Sequence, residues 1–329
     1  MENHYIGIDV GKSTLEVYLP KEEISYSYGN TKEGIRKLYG KLKKVYRKEL
    51  ENVVFIYEAT GNYSHLLTKN CQEKETRVHI VRPRQSSDFA KALGGRSKTD
   101  KMDAKMLASM HVVFDEEPEI PVIDETAEKI RTLMNYYKHL QKERVSANNF
   151  LESLQAKGEM GSVVRKLKKR ISAIREEETQ IIEEIKSIIK ADQVYSDGFA
   201  NISSVVGIGD VAAITLLHLF INYPDANRKQ ITALAGLDPI IRESGTSVRK
   251  KSRISKQGHK LIRSLLFMPA MSAIQSNKEI KTFYERLKAN GKHTTQAQVA
   301  VMRKLMLLAH TLYKNNTTYD KNRYLAKDV

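Results

Sequence analysis

The chain has 329 residues, and its 55 lysines and arginines outnumber its 39 aspartates and glutamates to give a net charge of +16. Apolar residues make up 41% of the chain, which excludes a disordered basic tail and, at this length, predicts about two folded domains. The strong positive field predicts a polyanionic partner such as a nucleic acid.

Residues 1–122 alternate predicted strands with predicted helices, which indicates an α/β layer structure. One helix is capped by Thr31 and a second begins near Tyr63. Three strands, a helix, a strand, a helix and a last strand follow one another, which is the order of the ribonuclease H fold. The predicted strands are Tyr5–Asp9, Thr14–Leu19, Ile24–Tyr28, Asn52–Tyr57 and Arg77–Val81.

Between residues 123 and 192 the strand signals disappear. Apolar residues recur there at helical spacing on both sides of a break at Gly158 and Gly161. Two long amphipathic helices are predicted. They form an antiparallel hairpin or a coiled coil with another subunit, or they simply pack onto a neighbouring domain. In each case they form an arm that joins two functional ends.

Residues 193–329 predict an all-helical domain. Its motif Gly207-Ile208-Gly209 lies between two apolar helices, as in a helix-hairpin-helix segment. Free backbone N–H groups at such a turn bind phosphate, so Gly207 and Gly209 are candidate nucleic-acid contacts. A tight turn between packed helices is the alternative.

Four carboxylates stand at element ends in the first domain. Asp9 ends the first strand, Glu58 ends the central strand, and Asp100 and Asp103 lie three residues apart at the start of a helix. Carboxylates at adjacent strand ends repel each other unless a cation intervenes, so we predict that these acids bind Mg²⁺. Two ions about 3.5–4 Å apart would support phosphodiester chemistry. For Asp100 and Asp103, the helix dipole is the alternative explanation.

A strongly basic segment runs from Arg242 to Arg263 and contains Glu243 as its single acid. Such a density of cations predicts salt-sensitive binding to a nucleic-acid backbone, with His259 as a further phosphate contact. The candidate contacts are Arg242, Arg249, Lys250, Lys251, Arg253, Lys256, Lys260 and Arg263.

Ser244 lies beside Gly245 at the entrance to this segment. Its hydroxyl is a candidate nucleophile for phosphorus, because the flanking arginines would stabilise the charge that develops on the phosphoryl oxygens. An ordinary loop is the alternative for this dipeptide. Rival nucleophiles in the same segment are Ser247, Ser252 and Ser255.

The single cysteine, Cys71, excludes an internal disulfide framework and a cysteine-based zinc cluster. The chain opens without the basic and apolar regions of a secretion signal, and no apolar run approaches the roughly 18 residues of a membrane span. We therefore expect a soluble cytoplasmic protein without a membrane partner.

Five motifs, in this order along nearly the whole chain, resemble the transposases of the insertion-sequence one-ten family: GIDVGKSTLEVYL, YEATGNY, KTDKMDA, VVGIGDVAAITLL and ESGTSVRKKSRISKQGHKLIRSLLF. That family consists of DEDD-type recombinases related to the pilin-gene invertase. The resemblance implies a Holliday-junction-resolvase-like domain of ribonuclease H fold, a coiled-coil arm and a helical transposase domain. It also implies a structured noncoding bridge RNA that selects the donor and target DNA.

The resemblance makes Asp9, Glu58, Asp100 and Asp103 the metal-binding acids. It makes Ser244 the nucleophile that forms a transient phosphoserine link with a DNA end, with Ser247 as the second choice. It further implies a homodimer or homotetramer in which the acids of one subunit meet the serine of another. Such an enzyme would act in the bacterial cytoplasm, at the nucleoid.

These features together predict an RNA-guided DNA recombinase that excises and inserts its own mobile element. A structure-selective Holliday-junction endonuclease, which needs the acids but no serine, is the first alternative. The GIDVGKST motif also resembles a phosphate loop of actin-like ATPases, but the second phosphate loop and the adenosine motif of those proteins are not found. A non-enzymatic nucleic-acid scaffold would explain the charge and leave the gathered acids unexplained.

Overall fold

The computed structural model describes residues 3–94, 99–244 and 248–320, and within residues 241–252 it describes only the backbone of 241–244 and 248–252. The chain divides into two compact units, Met1–Asp124 and Glu125–Val329. The predicted three-part division, with boundaries after residues 122 and 192, stays a prediction.

A mixed five-stranded sheet forms the centre of the first unit. Its strands are β1 (His4–Val10), β2 (Thr14–Leu19), β3 (Ile24–Gly29), β4 (Val53–Glu58) and β5 (Arg77–Val81). They lie in the order β3-β2-β1-β4-β5. The pairs β1–β2 and β2–β3 are antiparallel, whereas β1–β4 and β4–β5 are parallel. All the predicted strands are confirmed, and the sheet is consistent with a ribonuclease H-like fold.

The helices of this unit are α1 (Lys32–Tyr46), α2 (His65–Glu73), α3 (Pro83–Ala92) and α4 (Asp100–Ser109). Thr31 caps α1 as predicted, because its hydroxyl accepts a hydrogen bond from the Gly34 amide at 3.1 Å. Helix α3 is not among the predicted elements. This helix begins with Pro83, and the Arg82 amide donates to Gln85 Oε1 at 3.1 Å.

The two faces of the sheet carry separate cores. Ile8 and Tyr57 point to one face, where they pack with α1 and α2. Burial in that core raises the pKa of the Cys71 thiol to about 12, so this cysteine packs as a protonated, largely apolar side chain. On the opposite face Ile56 packs with Leu107 of α4.

Helix α4 lies directly against β1 at Gly7. A Cβ atom at Gly7 would lie 1.9 Å from the Ala104 carbonyl oxygen and 2.4 Å from the Ala108 nitrogen. Earlier in the strand, the ring of Tyr5 stacks on that of His111 with 4.6 Å between centroids. Because Tyr5 precedes Gly7 whereas His111 follows Ala108, α4 runs antiparallel to β1. The first turn of α4 therefore lies toward the end of β1.

The second unit is mainly helical, and one core of buried apolar side chains, including Phe220 and Leu305, joins its helices. Within the described ranges, no helix is both long enough and apolar enough to cross a membrane. The helices are α5 (Glu125–Ala156), α6 (Ser162–Lys190), α7 (Gln193–Ser203), α8 (Asp210–Asn222), α9 (Arg228–Leu234), α10 (Lys260–Ser276), α11 (Lys278–Ala289) and α12 (Thr294–Lys314).

Helices α5 and α6 pair within this chain as an antiparallel hairpin. Arg144 Nε donates to both carboxylate oxygens of Glu178, at 2.9 and 3.0 Å, and Glu178 is only 8% exposed. This charge-assisted pair offsets the burial of the carboxylate between the two helices. Ile130 and Ile185 belong to the core of the unit, so the base of the arm is part of that core.

The basic segment contains a two-stranded antiparallel hairpin, which the prediction of an all-helical domain does not include. Its strands are β6 (Pro239–Ser244) and β7 (Val248–Ile254). Isoleucine and valine at both ends of the hairpin favour strands, and the crowded like charges between them disfavour a helix.

The contact at Gly7 yields a testable prediction. Gly7→Ala places a Cβ inside the backbone of α4, and we expect it to destabilise the protein by about 1–3 kcal/mol through overpacking. Urea unfolding followed by circular dichroism measures this. Gly40→Ala is the control, because Gly40 lies in α1 with open space around it and alanine there favours the helix. Equal stability of the two variants would contradict the packing.

Candidate functional site

Asp9 and Glu58 lie side by side on neighbouring parallel strands. Ile8 and Tyr57 are paired in the register of β1 and β4, and both face the core beneath α1 and α2. Since successive side chains of a strand alternate between faces, Asp9 and Glu58 both turn to the opposite face, which α4 covers. Both residues are half-buried.

Asp100 and Asp103 occupy the first turn of α4, as predicted. Thr99 caps this turn by accepting a hydrogen bond from the Met102 amide at 3.3 Å. Because α4 runs antiparallel to β1, this turn lies toward the Asp9 end of the strand. The fold therefore brings the four predicted acids to one face and one end of the sheet.

Glu16 is a fifth acid at this place, and it is not among the predicted site residues. It is the cross-strand partner of Asp9 in the antiparallel pair of β1 and β2. Its neighbours Leu15 and Val17 point into the core on the other face, so Glu16, Asp9 and Glu58 form a row across three strands. The alternation of apolar residues in β2 is the signal that could have found its face.

One oxygen of this row lacks a hydrogen bond. Glu16 Oε2 is buried and has no hydrogen-bond partner among the described residues. An unpaired buried carboxylate oxygen is costly, and a cation would satisfy it. This observation fits a cation at the row of acids.

Glu58 has a specific partner. The Ser86 hydroxyl, on α3, donates a hydrogen bond to Glu58 Oε2 at 2.6 Å. Ser86 is only 4% exposed. The carboxylate of Glu58 is therefore held from the side of α3.

The side chains of these acids do not point toward a common metal position. Among the residues that the structure describes, no group of three or more His, Cys, Asp or Glu side chains is arranged to hold a metal ion. The donor set consists of carboxylate oxygens, which suit a hard divalent cation such as Mg²⁺. The chemistry of the acids thus suits such a cation, whereas ligation by three of them requires rotation of their side chains.

The row of acids yields a second prediction. Glu16→Gln removes one negative charge opposite Asp9 and keeps the size of the side chain, so we expect the Tm of the metal-free protein to rise by about 3 °C. Thermal melts in EDTA measure this. Glu116→Gln, at an exposed loop position, is the control and should leave Tm almost unchanged. A lower Tm for Glu16→Gln would contradict the repulsion.

Ser244 is the last residue of β6 and pairs with Val248 of β7. In the same ladder Arg242 pairs with Lys250, and Glu243 pairs with Arg249. The backbone thus carries Ser244 to the turn end of a cationic hairpin. Ser247, the second choice for the nucleophile, lies outside the described residues.

The base of the hairpin is anchored to the helical core by Arg263. Its guanidinium donates to the carbonyl oxygens of Ala235 at 2.9 Å, Gly258 at 3.0 Å and Lys256 at 3.3 Å. Arg263 therefore has a role within the fold, and its predicted contact with nucleic acid stays untested. Other predicted contacts, at Arg253, Lys256, His259 and Lys260, are exposed.

Ser255, one of the rival nucleophiles, donates its hydroxyl proton to Asp238 Oδ1. The Ser255 amide also donates to the Asp238 carbonyl at 2.8 Å. These two bonds tie the start of β6 to the end of β7. Ser255 therefore has a structural role at the foot of the hairpin.

The two glycines of the Gly207-Ile208-Gly209 motif differ in their surroundings. Gly207 has φ +104°, and a Cβ there would lie 2.6 Å from the Ala273 Cβ, so close packing on α10 explains this glycine. Gly209 faces open space at the N-terminus of α8. Lys186 pairs with Asp210 of that same turn at 2.6 Å. The predicted phosphate contact remains a prediction for both glycines.

Two models of transposase families match the chain. A model of DEDD transposases of the IS110 type, described as "Transposase", matches residues 6–156, which include all four predicted acids. A second, described as "Transposase IS116/IS110/IS902 family", matches residues 200–285, which include Ser244 and the basic segment.

Curated relatives agree with these matches. The pilin gene-inverting protein of Moraxella bovis is 28% identical over 332 residues, which cover 98% of this chain and 99% of that protein. The protein of the same name from Moraxella lacunata has the same identity and coverage. A 43.6 kDa protein of insertion element IS110 from Streptomyces coelicolor is 24% identical over 50% of this chain and 39% of its own length. The chain thus belongs to the IS110 family of transposases, enzymes of DNA transposition and recombination.

Proposed function

We propose that this transposase excises and inserts a mobile DNA element by metal-dependent strand cleavage and exchange, guided by a structured noncoding RNA. The observation that carries the proposal is the placement of Asp9, Glu58, Asp100 and Asp103 at one corner of the sheet in a chain of net charge +16. Acids concentrated in a cationic protein would repel a nucleic acid unless a cation screened them. A DNA phosphate and a divalent cation account for both features together.

Ser244 is the proposed nucleophile. Its oxygen attacks a phosphorus atom of the DNA backbone, a P–O bond to the departing strand breaks, and that strand leaves as a hydroxyl with the proton that the serine loses. A hydroxyl of the new strand then attacks the phosphoserine and restores Ser244. The phosphodiester energy is conserved in the phosphoserine link, so rejoining needs no ATP.

The four acids are the proposed holders of Mg²⁺. When bound, the cation would stabilise negative charge on the oxygens around the reacting phosphorus. The carboxylates of Asp9 and Glu58, on the rigid centre of the sheet, would orient it. Asp100 and Asp103, at the end of a helix, would complete its ligands.

The hairpin is the proposed DNA contact near the nucleophile. Arg253, Lys256 and Lys260 are exposed at its foot and would bind backbone phosphates. Arg263 would keep the hairpin in place through its three carbonyl contacts. Strand pairing and this anchor would together hold Ser244 in a defined position.

The arm is the proposed site of homo-oligomer formation. Apolar side chains are exposed on α5, on α6 and at the turn between them, and these side chains favour association with another subunit. They are Val145, Phe150, Met160 and Val163, with exposures of 53%, 52%, 77% and 49%. The remaining basic surface is the proposed contact for the guide RNA, and the cytoplasm at the nucleoid is the proposed place of action.

The inverting relatives support the same chemistry. Inversion, excision and insertion each require cleavage and rejoining of DNA strands, and they differ in how the sites are arranged. Membership in a transposase family sets aside the actin-like ATPase and the non-enzymatic scaffold. The junction endonuclease without a covalent intermediate is the alternative that the following experiment excludes or supports.

The third prediction concerns the phosphoserine. We expect Ser244→Ala to abolish covalent protein–DNA adducts, at least 100-fold below the wild-type level, because alanine has no nucleophile. The assay mixes full-length protein, its copurified RNA, end-labelled element DNA and Mg²⁺, and detects adducts on a denaturing gel. RNA retention by the variant shows that it is folded.

Ser247→Ala is the matched control and should form adducts like the wild type. Adducts that vanish with Ser247→Ala and persist with Ser244→Ala would transfer the role to Ser247. Wild-type protein that produces hydrolysed ends and no adduct would establish the endonuclease alternative.

A further inference from the structure

Ser86 is a buried polar side chain next to Glu58 that the sequence motifs do not single out. It is 4% exposed, whereas its neighbours Gln85 and Ser87 on α3 are exposed. Its Oγ lies 2.6 Å from Glu58 Oε2. A buried hydroxyl in this position indicates that Ser86 contributes to the site through its hydrogen bond to Glu58 and not through apolar packing.

The hydroxyl has one proton and two acceptors within reach. Ser86 Oγ lies 3.0 Å from the Pro83 carbonyl oxygen, which is a local contact within the helix. The bond to the carboxylate is shorter, as expected when the acceptor is charged. The proton therefore goes to Glu58. Glu58 Oε2 thus accepts the hydrogen bond from Ser86, and the lone pairs of Glu58 Oε1 remain for further ligands.

Both ends of this bond rest on rigid backbone. Glu58 is paired with Val81 in the register of β4 and β5, and the Ala59 amide donates to the Val81 carbonyl at 3.0 Å. Helix α3 begins shortly after Val81, and its first turn is fixed by Pro83 and by the bond from the Arg82 amide to Gln85. Ser86 thus meets Glu58 in a geometry set by the sheet.

We infer that Ser86 is a positioning residue for Glu58, which its hydrogen bond orients for ligation of a divalent cation together with Asp9. The inference rests on the proposed function, because the cation is part of that proposal. Donors that orient a metal-binding carboxylate typically change metal affinity 10- to 100-fold when removed. The role is distinct from that of docking α3 on the sheet, which would affect only the stability of the fold.

The experiment compares metal affinity with fold stability in full-length protein. Mn²⁺ is titrated into metal-free protein without nucleic acid, with free Mn²⁺ measured by electron paramagnetic resonance, and Tm is measured in EDTA. We expect Ser86→Ala to raise the Kd for Mn²⁺ about tenfold. Ser86→Thr, which keeps the hydroxyl, should restore an affinity within about twofold of the wild type, and Ser87→Ala should match the wild type.

Ser86→Cys keeps the packing but provides only a weak donor, so it should also weaken Mn²⁺ binding, and it tests the inference if Ser86→Ala does not fold. Wild-type Mn²⁺ affinity in Ser86→Ala or in Ser86→Cys would overturn the inference. A lower Tm with unchanged affinity would assign Ser86 to docking of α3 and would overturn it as well.

Asp9→Asn separates this outcome from failure of the proposed metal site. If the wild type binds Mn²⁺ and Asp9→Asn does not, the metal site stands and the Ser86 variants decide the inference. If the wild type and Asp9→Asn bind Mn²⁺ equally, or neither binds it, the metal site fails and the inference fails with it.

Discussion

The contact between Gly7 and the backbone of α4 is the constraint on which the candidate site depends. Helix and strand meet without an intervening side chain, since a Cβ at Gly7 would overlap the Ala104 carbonyl. This approach lays the first turn of α4 beside the ends of the central strands. Acids from three parts of the sequence, around residues 9, 58 and 100, thereby come to one corner of one sheet.

The side chains at this corner of the sheet are negatively charged, whereas the chain as a whole is positively charged. A chain of net charge +16 attracts polyanions, whereas the row of Glu16, Asp9 and Glu58 repels them. Like charges on adjacent strands cost stability, and the buried Glu16 Oε2 adds a desolvation penalty without a hydrogen bond. A divalent cation would convert the corner from repelling a phosphate to binding one.

Local patterns were sufficient to predict much of the fold. Short apolar runs predict the strands, and the ends of two of these runs place Asp9 and Glu58 at strand ends. Contacts distant in sequence were not accessible in this way. The pairing of Glu16 opposite Asp9 follows from strand register, and the bond from Ser86 to Glu58 follows from the docking of α3. The structural role of Arg263 likewise depends on its contacts with backbone carbonyls, which only the folded structure shows. The sequence alone does not distinguish Arg263 from the exposed basic residues near it.

In the proposed function these carboxylates close around a divalent cation. Anomalous diffraction from crystals of the full-length protein grown with MnCl₂ tests it most directly, because the signal locates manganese independently of the side chains. We expect a manganese peak within about 2.0–2.3 Å of carboxylate oxygens of Asp9 and Glu58, with Asp100 or Asp103 in the same coordination shell. Manganese bound elsewhere, with no peak between β1, β4 and the first turn of α4, would contradict it.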